Sequence, residues 1–523
     1  MSNATQNRKI QEQAEQLRLL SEQVARQQAT IEKQQRYITQ LLERIYGKKS
    51  ERFDPDQMRF DGMEIEAMDQ AAGQKEDESS GEEEPATMAC EDKPVRKNRG
   101  YNRLPAPEHL ERKEIVRDLP VEERKCKECG EERPYIGADI TERLDCTPMT
   151  LFVNRYVTKK YGECTCGRGD CGVKTAVVGH ALIEKCSAEP GVIATTLVQK
   201  FFDHLPFYRQ EYIFQRYGVE LSRKTMWDWE LNVSEGLLPL YELLKKEAFS
   251  TGVALSDDTP VKIVIEKEGT REARIWVCLG GKEFEHCVYE FTLNRSQDGP
   301  KEFFKDYGGK LVSDAYGGYE PLFEENKDII PSGCWSHTRR YFHKALPYTP
   351  QAAAEMITLI KGLYKVESRA VDLSTDDRLA LRQENSAPQM EAIEEWLDEH
   401  KKAWLPKSPM GEAETYITNQ WKRLQVFLSD GRVPIDNNAA ERAIRPWAIG
   451  RKNWMFFFSE RGGRAAAVIM SFLQTCRLQG IEPWHYMKDI ISRIAGHPNS
   501  RLNELLPHVW KQAHPEAIIH TPT

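Results

Sequence analysis

The run from Gly252 to His337 constrains the fold more than any other part of this chain. Gly252-Val253-Ala254-Leu255-Ser256-Asp257-Asp258-Thr259-Pro260-Val261-Lys262-Ile263-Val264-Ile265 sets apolar and β-branched residues around an abrupt Ser-Asp-Asp-Thr-Pro. The runs Ala273 to Leu279 and His286 to Leu293 also read as strands, with glycines between them. Three strands in succession predict an antiparallel meander. A helix is expected from Gly299 to Tyr307. Next, Gly309 to Tyr319 holds a buried strand that ends at Asp314, with glycines opening the chain behind it. Ile329 to His337 is a shorter strand leading into a basic helix from Thr338.

Three strands, helix, strand, helix, strand, helix is the order a ribonuclease H-like sheet needs. Its first and fourth strands lie side by side, so Asp257 and Asp314 are expected to meet at one edge. A third acid comes from Asp436-Asn437-Asn438-Ala439-Ala440-Glu441-Arg442-Ala443-Ile444-Arg445-Pro446. Asp and Asn before an alanine-rich run make a helix start. Arg445 lies one turn from Glu441 on the same side of that helix. Three converging carboxylates suit two magnesium ions, with manganese as the alternative, because such ions take hard oxygen ligands and leave positions for water and phosphate. Taken singly, each Asp reads as a turn or cap residue, and Glu441 as part of a solvated face.

The chain resembles the transposases of the insertion sequence 66 family, which carry an Asp-Asp-Glu triad. The resemblance rests on Leu42-Glu43-Arg44-Ile45-Tyr46-Gly47-Lys48-Lys49-Ser50-Glu51, His204-Leu205-Pro206-Phe207-Tyr208-Arg209-Gln210 and Asp257-Asp258-Thr259-Pro260. It continues through Cys334-Trp335-Ser336-His337, Asn437 to Pro446 and Gly450-Arg451-Lys452-Asn453-Trp454. Their order and separation span nearly the whole chain. The resemblance implies DNA strand cleavage and strand transfer, with Asp257, Asp314 and Glu441 matching the catalytic acids. It also implies a bacterial, cytoplasmic protein that acts on the terminal inverted repeats of its element and on target DNA, with accessory proteins encoded beside it. The family usually has Glu after the first catalytic Asp, and this chain has Asp258. Asp257 is the metal candidate by alignment, and Asp258 points to the opposite face if the strand continues through it. The alternatives are a noncatalytic DNA-binding regulator derived from a transposase, and a ribonuclease H-like nuclease. Neither of the two strand-like acids nor Glu441 is missing, which favours the enzyme over the regulator.

A net charge of -8 over 523 residues looks wrong for a DNA-binding chain, and its distribution removes the conflict. Asp61 to Lys93 holds 12 acids and 2 bases, a net of -10, so the remainder carries +2. This acidic stretch reads as a disordered linker. The tract Arg96-Lys97-Asn98-Arg99-Gly100-Tyr101-Asn102-Arg103 after it is basic, either a DNA-backbone contact or a plain flexible arm. No apolar run is long enough to cross a membrane, and the polar N-terminus shows no signal peptide. The length calls for several domains.

Toward the N-terminus, Ile10, Leu17, Val24, Ile31, Ile38 and Ile45 repeat every seven residues. The companion positions are Gln13, Leu20, Gln27, Gln34 and Leu41. This is a coiled-coil seam weakened by glutamines, which predicts a marginal homodimer or a higher oligomer. Cys126-Lys127-Glu128-Cys129-Gly130 reads as a zinc knuckle. Cys166 and Cys171, each followed by Gly, are the preferred second pair, with Cys164 able to replace one. Arg143 to Tyr161 between them alternates like paired strands. Cys146 and Cys186 read as core.

From Gly191 to Ala248 the chain reads as helical. Arg209 to Tyr217, Gly218 to Leu221 and Ser222 to Trp229 fit helix, turn, helix, with Ser222 as cap. Arg223, Lys224 and Thr225 then sit at the N-terminal end of the second helix, where a recognition helix meets bases. An ordinary helical hairpin is the plain alternative. Trp227 and Trp229 read as core. Cys334 and His337 form only half a metal site, and a structural role beside the acids is preferred. Arg339, Arg340 and Lys344 make a basic helix face for DNA, and Arg442, Arg445 and Lys452 are phosphate candidates. The long interval between Asp314 and Glu441 is too long for a loop, so a helical insertion is expected.

The resulting expectation is a multidomain α+β chain. Its parts are a coiled-coil helix (1–60), an acidic disordered linker and basic arm (61–100), and a zinc-binding domain (101–185). A helical, helix-turn-helix-like DNA-binding region follows (186–250). The ribonuclease H-like catalytic domain (251–476) carries a helical insertion (350–430), and a small helical C-terminal domain closes the chain (477–523).

Overall fold

The computed structural model describes residues 150–156, 160–161, 174–175, 180–184, 186–265 and 269–519. All lie in one of the two units into which the chain divides, Asn102–Thr523. The heptad helix, the acidic stretch, the basic arm and all the zinc candidates (Cys126, Cys129, Cys164, Cys166 and Cys171) lie outside the described residues. Beside those candidates, Lys160–Tyr161 pairs antiparallel with Lys174–Thr175.

Three helices come first: α1 (Pro190–Phe201), α2 (Phe207–Arg216) and α3 (Arg223–Phe249). Gly218, at φ +73°, makes the turn after α2 where a side chain would be strained. Ser222 Oγ accepts the Thr225 N–H at 3.1 Å and caps α3. Arg223 and Lys224 are exposed at that end and Thr225 is half-buried, and Lys224 pairs with Asp228 at 2.9 Å. Trp229 is buried and Trp227 packs against the core.

The sheet follows. Strands β1 (Val253–Ile265), β2 (Gly269–Gly280) and β3 (His286–Thr292) form an antiparallel meander. After α4 (Asp298–Phe303) comes β4 (Gly309–Val312), then α5 (Glu320–Glu325), β5 (Ile329–Ser332) and α6 (Trp335–Ala345). The five-stranded order is β3-β2-β1-β4-β5, with β4 and β5 parallel to β1. The parallel approach of β1 and β4 needs glycine: at Gly309, φ +134°, an added Cβ would stand 2.2 Å from the Gly252 carbonyl oxygen. Both sheet edges are managed. The β3 N–H groups of Cys287 and Tyr289 donate to Thr475 Oγ1 and Ser471 Oγ at 3.0 and 2.8 Å. Edge strand β5 contains Pro331, which donates nothing to a further strand.

The 350–430 segment is helical. It holds α7 (Pro350–Arg369), α8 (Thr375–Leu381), a π-helical turn at Arg382–Ser386, α9 (Ala387–Glu399) and α10 (Pro409–Leu424). Trp335 at the start of α6 donates its indole N–H to the Leu424 carbonyl at 3.0 Å, which docks α10 beside the sheet. The chain then returns through α11 (Asn438–Trp454) and α12 (Glu460–Leu478) to α13 (Pro483–Arg493) and α14 (Pro507–Ala513). A single hydrophobic cluster extends from Ile193 to Ala517. Trp484 of α13 donates to Thr195 Oγ1 of α1 at 2.9 Å, so the last helices share a core with the first ones. Cys186 packs against the same core. Among the described residues no helix is long and apolar enough to cross a membrane.

Candidate active site

The register of the parallel pair decides where the two aspartates stand. Val253 lies opposite Lys310, and Leu255 opposite Val312. Asp257 is two residues past Leu255 and Asp314 two past Val312, so the acids are level with each other. The first and fourth strands are neighbours as expected, β1 is the central strand, and the pair sits where β1 and β4 part at the middle of the sheet.

β1 runs unbroken through both adjacent acids, so Asp257 and Asp258 face opposite sides. Asp258, its side chain only 1% exposed, is saturated by Arg274 at 3.1 Å and by Arg295 at 2.7 Å. The Arg295 guanidinium also lies 3.8 Å over the ring of Tyr316. Tyr316 donates its own N–H to Asp314 Oδ1 at 3.2 Å, so this arginine braces the turn that carries Asp314. Among the described residues, Asp257 has no arginine partner of this kind. Its Oδ1 accepts the Asp258 N–H at 2.8 Å. Burial, followed by the charges of Asp314, Glu441 and Asp258, pushes its carboxyl up to about 7. Burial likewise raises Asp314, against the pull of the Tyr316 N–H and of His337. Asp258→Asn should therefore destabilise the fold by about 2–4 kcal/mol, since it strips two arginines of a buried partner. Urea denaturation measures this, and a change under about 1 kcal/mol would make Asp258 a dispensable neighbour.

Glu441 returns to this place through a set of short links across the insertion. Trp335 donates its backbone N–H to the Ile435 carbonyl at 3.2 Å. Asn437 donates its N–H to Cys334 Sγ at 3.2 Å and its side-chain amide to the Ser256 carbonyl at 2.8 Å. Ser256 is the neighbour of Asp257, so the start of α11 is bonded to the strand beside the first acid. The helix starts at the Asp-Asn-Asn run, as expected. Asn437 gives no side-chain cap, and Asp436 Oδ1 accepts the Asn438 N–H at 3.1 Å. Tyr364 of α7 holds Asp436 in turn at 2.9 Å. Cys334 thus has a structural part, and burial raises its thiol to about 12.

The partner of Glu441 comes from another helix. Arg445, one turn along α11, does not take it. Arg340 of α6 does, with one nitrogen at 2.8 and 2.6 Å from the two carboxylate oxygens. His337 Nε2 stands 3.8 Å from the same acid, and burial together with Arg340 lowers that imidazole. Arg340, expected on a DNA face, therefore closes over the third acid. Arg442, Arg445 and Lys452 are exposed on α11, while Arg451, not singled out by sequence, donates to Thr259 Oγ1 and the Pro260 carbonyl at 3.0 and 2.6 Å. Local spacing gave no sign of Arg274 or Arg295, whose partner Asp258 lies 16 and 37 positions away, or of the bond from Asn437 to Ser256, 181 positions away. Among the described residues no three His, Cys, Asp or Glu side chains stand together in metal-holding geometry.

A family model described as the transposase IS66 family matches residues 185–465, more than half of the 523-residue chain. The chain belongs to the IS66 transposase family. A second model, the IS66 C-terminal element, matches residues 471–508 of this IS66-family protein. A third, described as the transposase C of IS166 homeodomain, matches residues 34–115. The uncharacterized proteins y4hP and y4qI of Sinorhizobium fredii are both 32% identical to it. The first alignment spans 91% of this chain and 88% of the relative, the second 92% and 89%. A solved structure described as the Drosophila P element transposase strand transfer complex aligns with 55% of this chain and 92% of its own, at 11% identity and a TM-score of 0.32.

Proposed function

We propose that this IS66-family protein cuts DNA at the ends of its insertion element and joins the freed ends to target DNA, using a ribonuclease H-like catalytic domain. One observation carries the reading. Asp257 on β1 feels the charges of Asp314, two residues past the end of the parallel neighbour β4, and of Glu441, and the Asn437 bond to the Ser256 carbonyl returns the helix of Glu441 to β1. The order β3-β2-β1-β4-β5 supports the fold assignment.

The donor chemistry fits divalent ions. Asp257, raised to about 7 by burial and by the neighbouring acids, is a site where positive charge relieves repulsion. Asp257, Asp314 and Glu441 are the proposed ligands for two magnesium or manganese ions. When bound, such ions supply Lewis-acid polarisation and lower the pKa of water. The chain's own residues do the rest. Arg442, Arg445 and Lys452 line α11 as phosphate contacts, which fixes the phosphodiester beside the acids. Arg340 neutralises Glu441 here and has DNA phosphate as its alternative anion. In the first reaction water attacks phosphorus and the bond to the 3′-oxygen breaks, leaving a 3′-hydroxyl and a 5′-phosphate. That hydroxyl then attacks a target phosphodiester and displaces its 3′-oxygen.

Arg223, Lys224 and Thr225 at the exposed end of α3, with Arg339 on α6, are proposed as further DNA contacts. Cys126, Cys129, Cys166 and Cys171 are proposed to hold one structural zinc ion in the domain that meets the element ends. The coiled-coil segment is proposed to join two copies. Glu441→Gln should abolish strand cleavage of linear DNA carrying the element's ends while leaving DNA affinity within about twofold. Full cleavage by this variant sinks the assignment, and cleavage without strand-transfer products points to a nuclease.

A further inference from the structure

The stretch that leaves the Glu441 helix is strained and exposed in a way the catalytic reading does not use. Met455 closes α11 at φ 60° and ψ -50°, a left-handed setting for a residue with a β-carbon. The Phe456 N–H bonds the Trp454 carbonyl two residues back at 2.7 Å, which makes Met455 the centre of a positive-φ γ-turn. Such strain persists only where neighbours hold it, and here they do. Phe457 donates to the Lys262 carbonyl at 2.8 Å and accepts from the Val264 N–H at 2.9 Å, so it adds a bridge to the far end of β1. Phe457 itself is buried, whereas Met455 is 63% and Phe458 74% exposed. Two large apolar side chains are thus held out to solvent on a rigid mount.

Their approach is cationic. Arg442, Arg445, Ile449 and Lys452 recur at the three- and four-residue spacing of one helix face, and all are exposed. Glu441 is the only acid of α11, against the four bases Arg442, Arg445, Arg451 and Lys452. A face that runs from the third acid through arginines and a lysine to two bare apolar tips matches duplex DNA, whose phosphates flank a stack of apolar base faces.

We propose that Met455 and Phe458 form a wedge that enters the base stack of the duplex about six base pairs from the phosphate that is cut. The inference rests on the DNA-cutting reading above. Two independent measures set the spacing. From Glu441 to Met455 the helix rises about 21 Å, at roughly 1.5 Å per residue. From Asp257 to the Phe457 bridge at Ile263, β1 spans about 20 Å, at roughly 3.3 Å per residue. At about 3.4 Å per base pair, both correspond to about six pairs. Unstacking at that step bends the duplex and exposes the end to be cut.

The test uses the full-length chain in EDTA, so that DNA is bound and not cut. The probe is a duplex of the element's end with 2-aminopurine placed singly at successive positions from the cleavage point. Fluorescence should rise several-fold at one or two adjacent positions near the sixth pair and stay low elsewhere. Phe458→Ala should abolish that rise with the salt dependence of binding unchanged, and Phe458→Leu should keep at least about half of it. Salt-sensitive binding with no bright position overturns the wedge and leaves the DNA reading standing, as does a full signal from Phe458→Ala. Absence of binding by the parent chain overturns both.

Discussion

Asp257→Asn should stop strand cleavage by at least about a thousandfold and yet make the protein more stable at pH 8. The two effects share a cause. The Asp257 carboxyl is largely enclosed by protein, and it is raised from its ordinary 3.8 to about 7. An acid with a native pKa above its unfolded value binds more protons folded than unfolded between those two values. Its contribution to stability is therefore full below about pH 4, falls as pH rises, and is lowest above about pH 7. A rise of this size corresponds to roughly 2–4 kcal/mol as an upper range. Asparagine removes the charge and keeps an oxygen for the Asp258 N–H. In EDTA the variant should melt a few degrees higher than the parent at pH 8, with the difference vanishing near pH 4. A variant that melts lower than the parent at pH 8, or cleaves at the parental rate, contradicts the assignment. Asp258→Asn, on the other face of the strand, should only destabilise.

Arg382→Met should be the most damaging single change in the insertion, at about 3–5 kcal/mol. Arg382 opens the π-helical turn and is 1% exposed. One of its nitrogens donates to the carbonyls of Phe427, Asp430 and Val433 at 2.9, 3.1 and 2.9 Å. The others hold both oxygens of Glu367 at 2.8 and 2.7 Å. Methionine fills the volume and leaves three carbonyls and a carboxylate without their donor. Those carbonyls belong to the segment that leads back to Asn437. Asp430, in the same segment, also bonds Lys310 of β4 at 2.8 Å and Arg432 at 2.7 Å, and Arg432 holds its carboxyl well below the usual range. Loss of Arg382 should thus lower the urea midpoint and reduce cleavage even where the variant remains folded, because Glu441 loses its mount. Adding Glu367→Gln should recover part of the stability. A loss below about 1 kcal/mol contradicts this account.

Much of the site was legible along the chain. Strand-length runs and glycines placed Asp257 in a strand and Asp314 just past one, because alternation and turn chemistry are local, although the expected break at Ser-Asp-Asp-Thr-Pro is absent and β1 runs on to Ile265. The cap of α3 by Ser222 was legible for the same reason. The partner of Glu441 was not. Helical spacing puts Arg445 one turn away, but a side chain pairs with whatever packing brings nearest, and Arg340 comes from 101 positions away. The helix start was legible, but the bond from Asn437 across the core to the Ser256 carbonyl was not.

The sequence alone carried the kinds of element and their order, through periodicity and turn residues, and the family, through motifs whose resemblance nominates the three acids. Only the tertiary structure decided that Asp257 and Asp258 have opposite fates, one left to its acidic neighbours and one saturated by Arg274 and Arg295. It also decided that Glu441 is closed over by Arg340, and that Met455 is held strained and bare at the end of α11. The physical reason is burial. A carboxylate's partners and its pKa are set by what surrounds it in space, and chain distance carries no record of that.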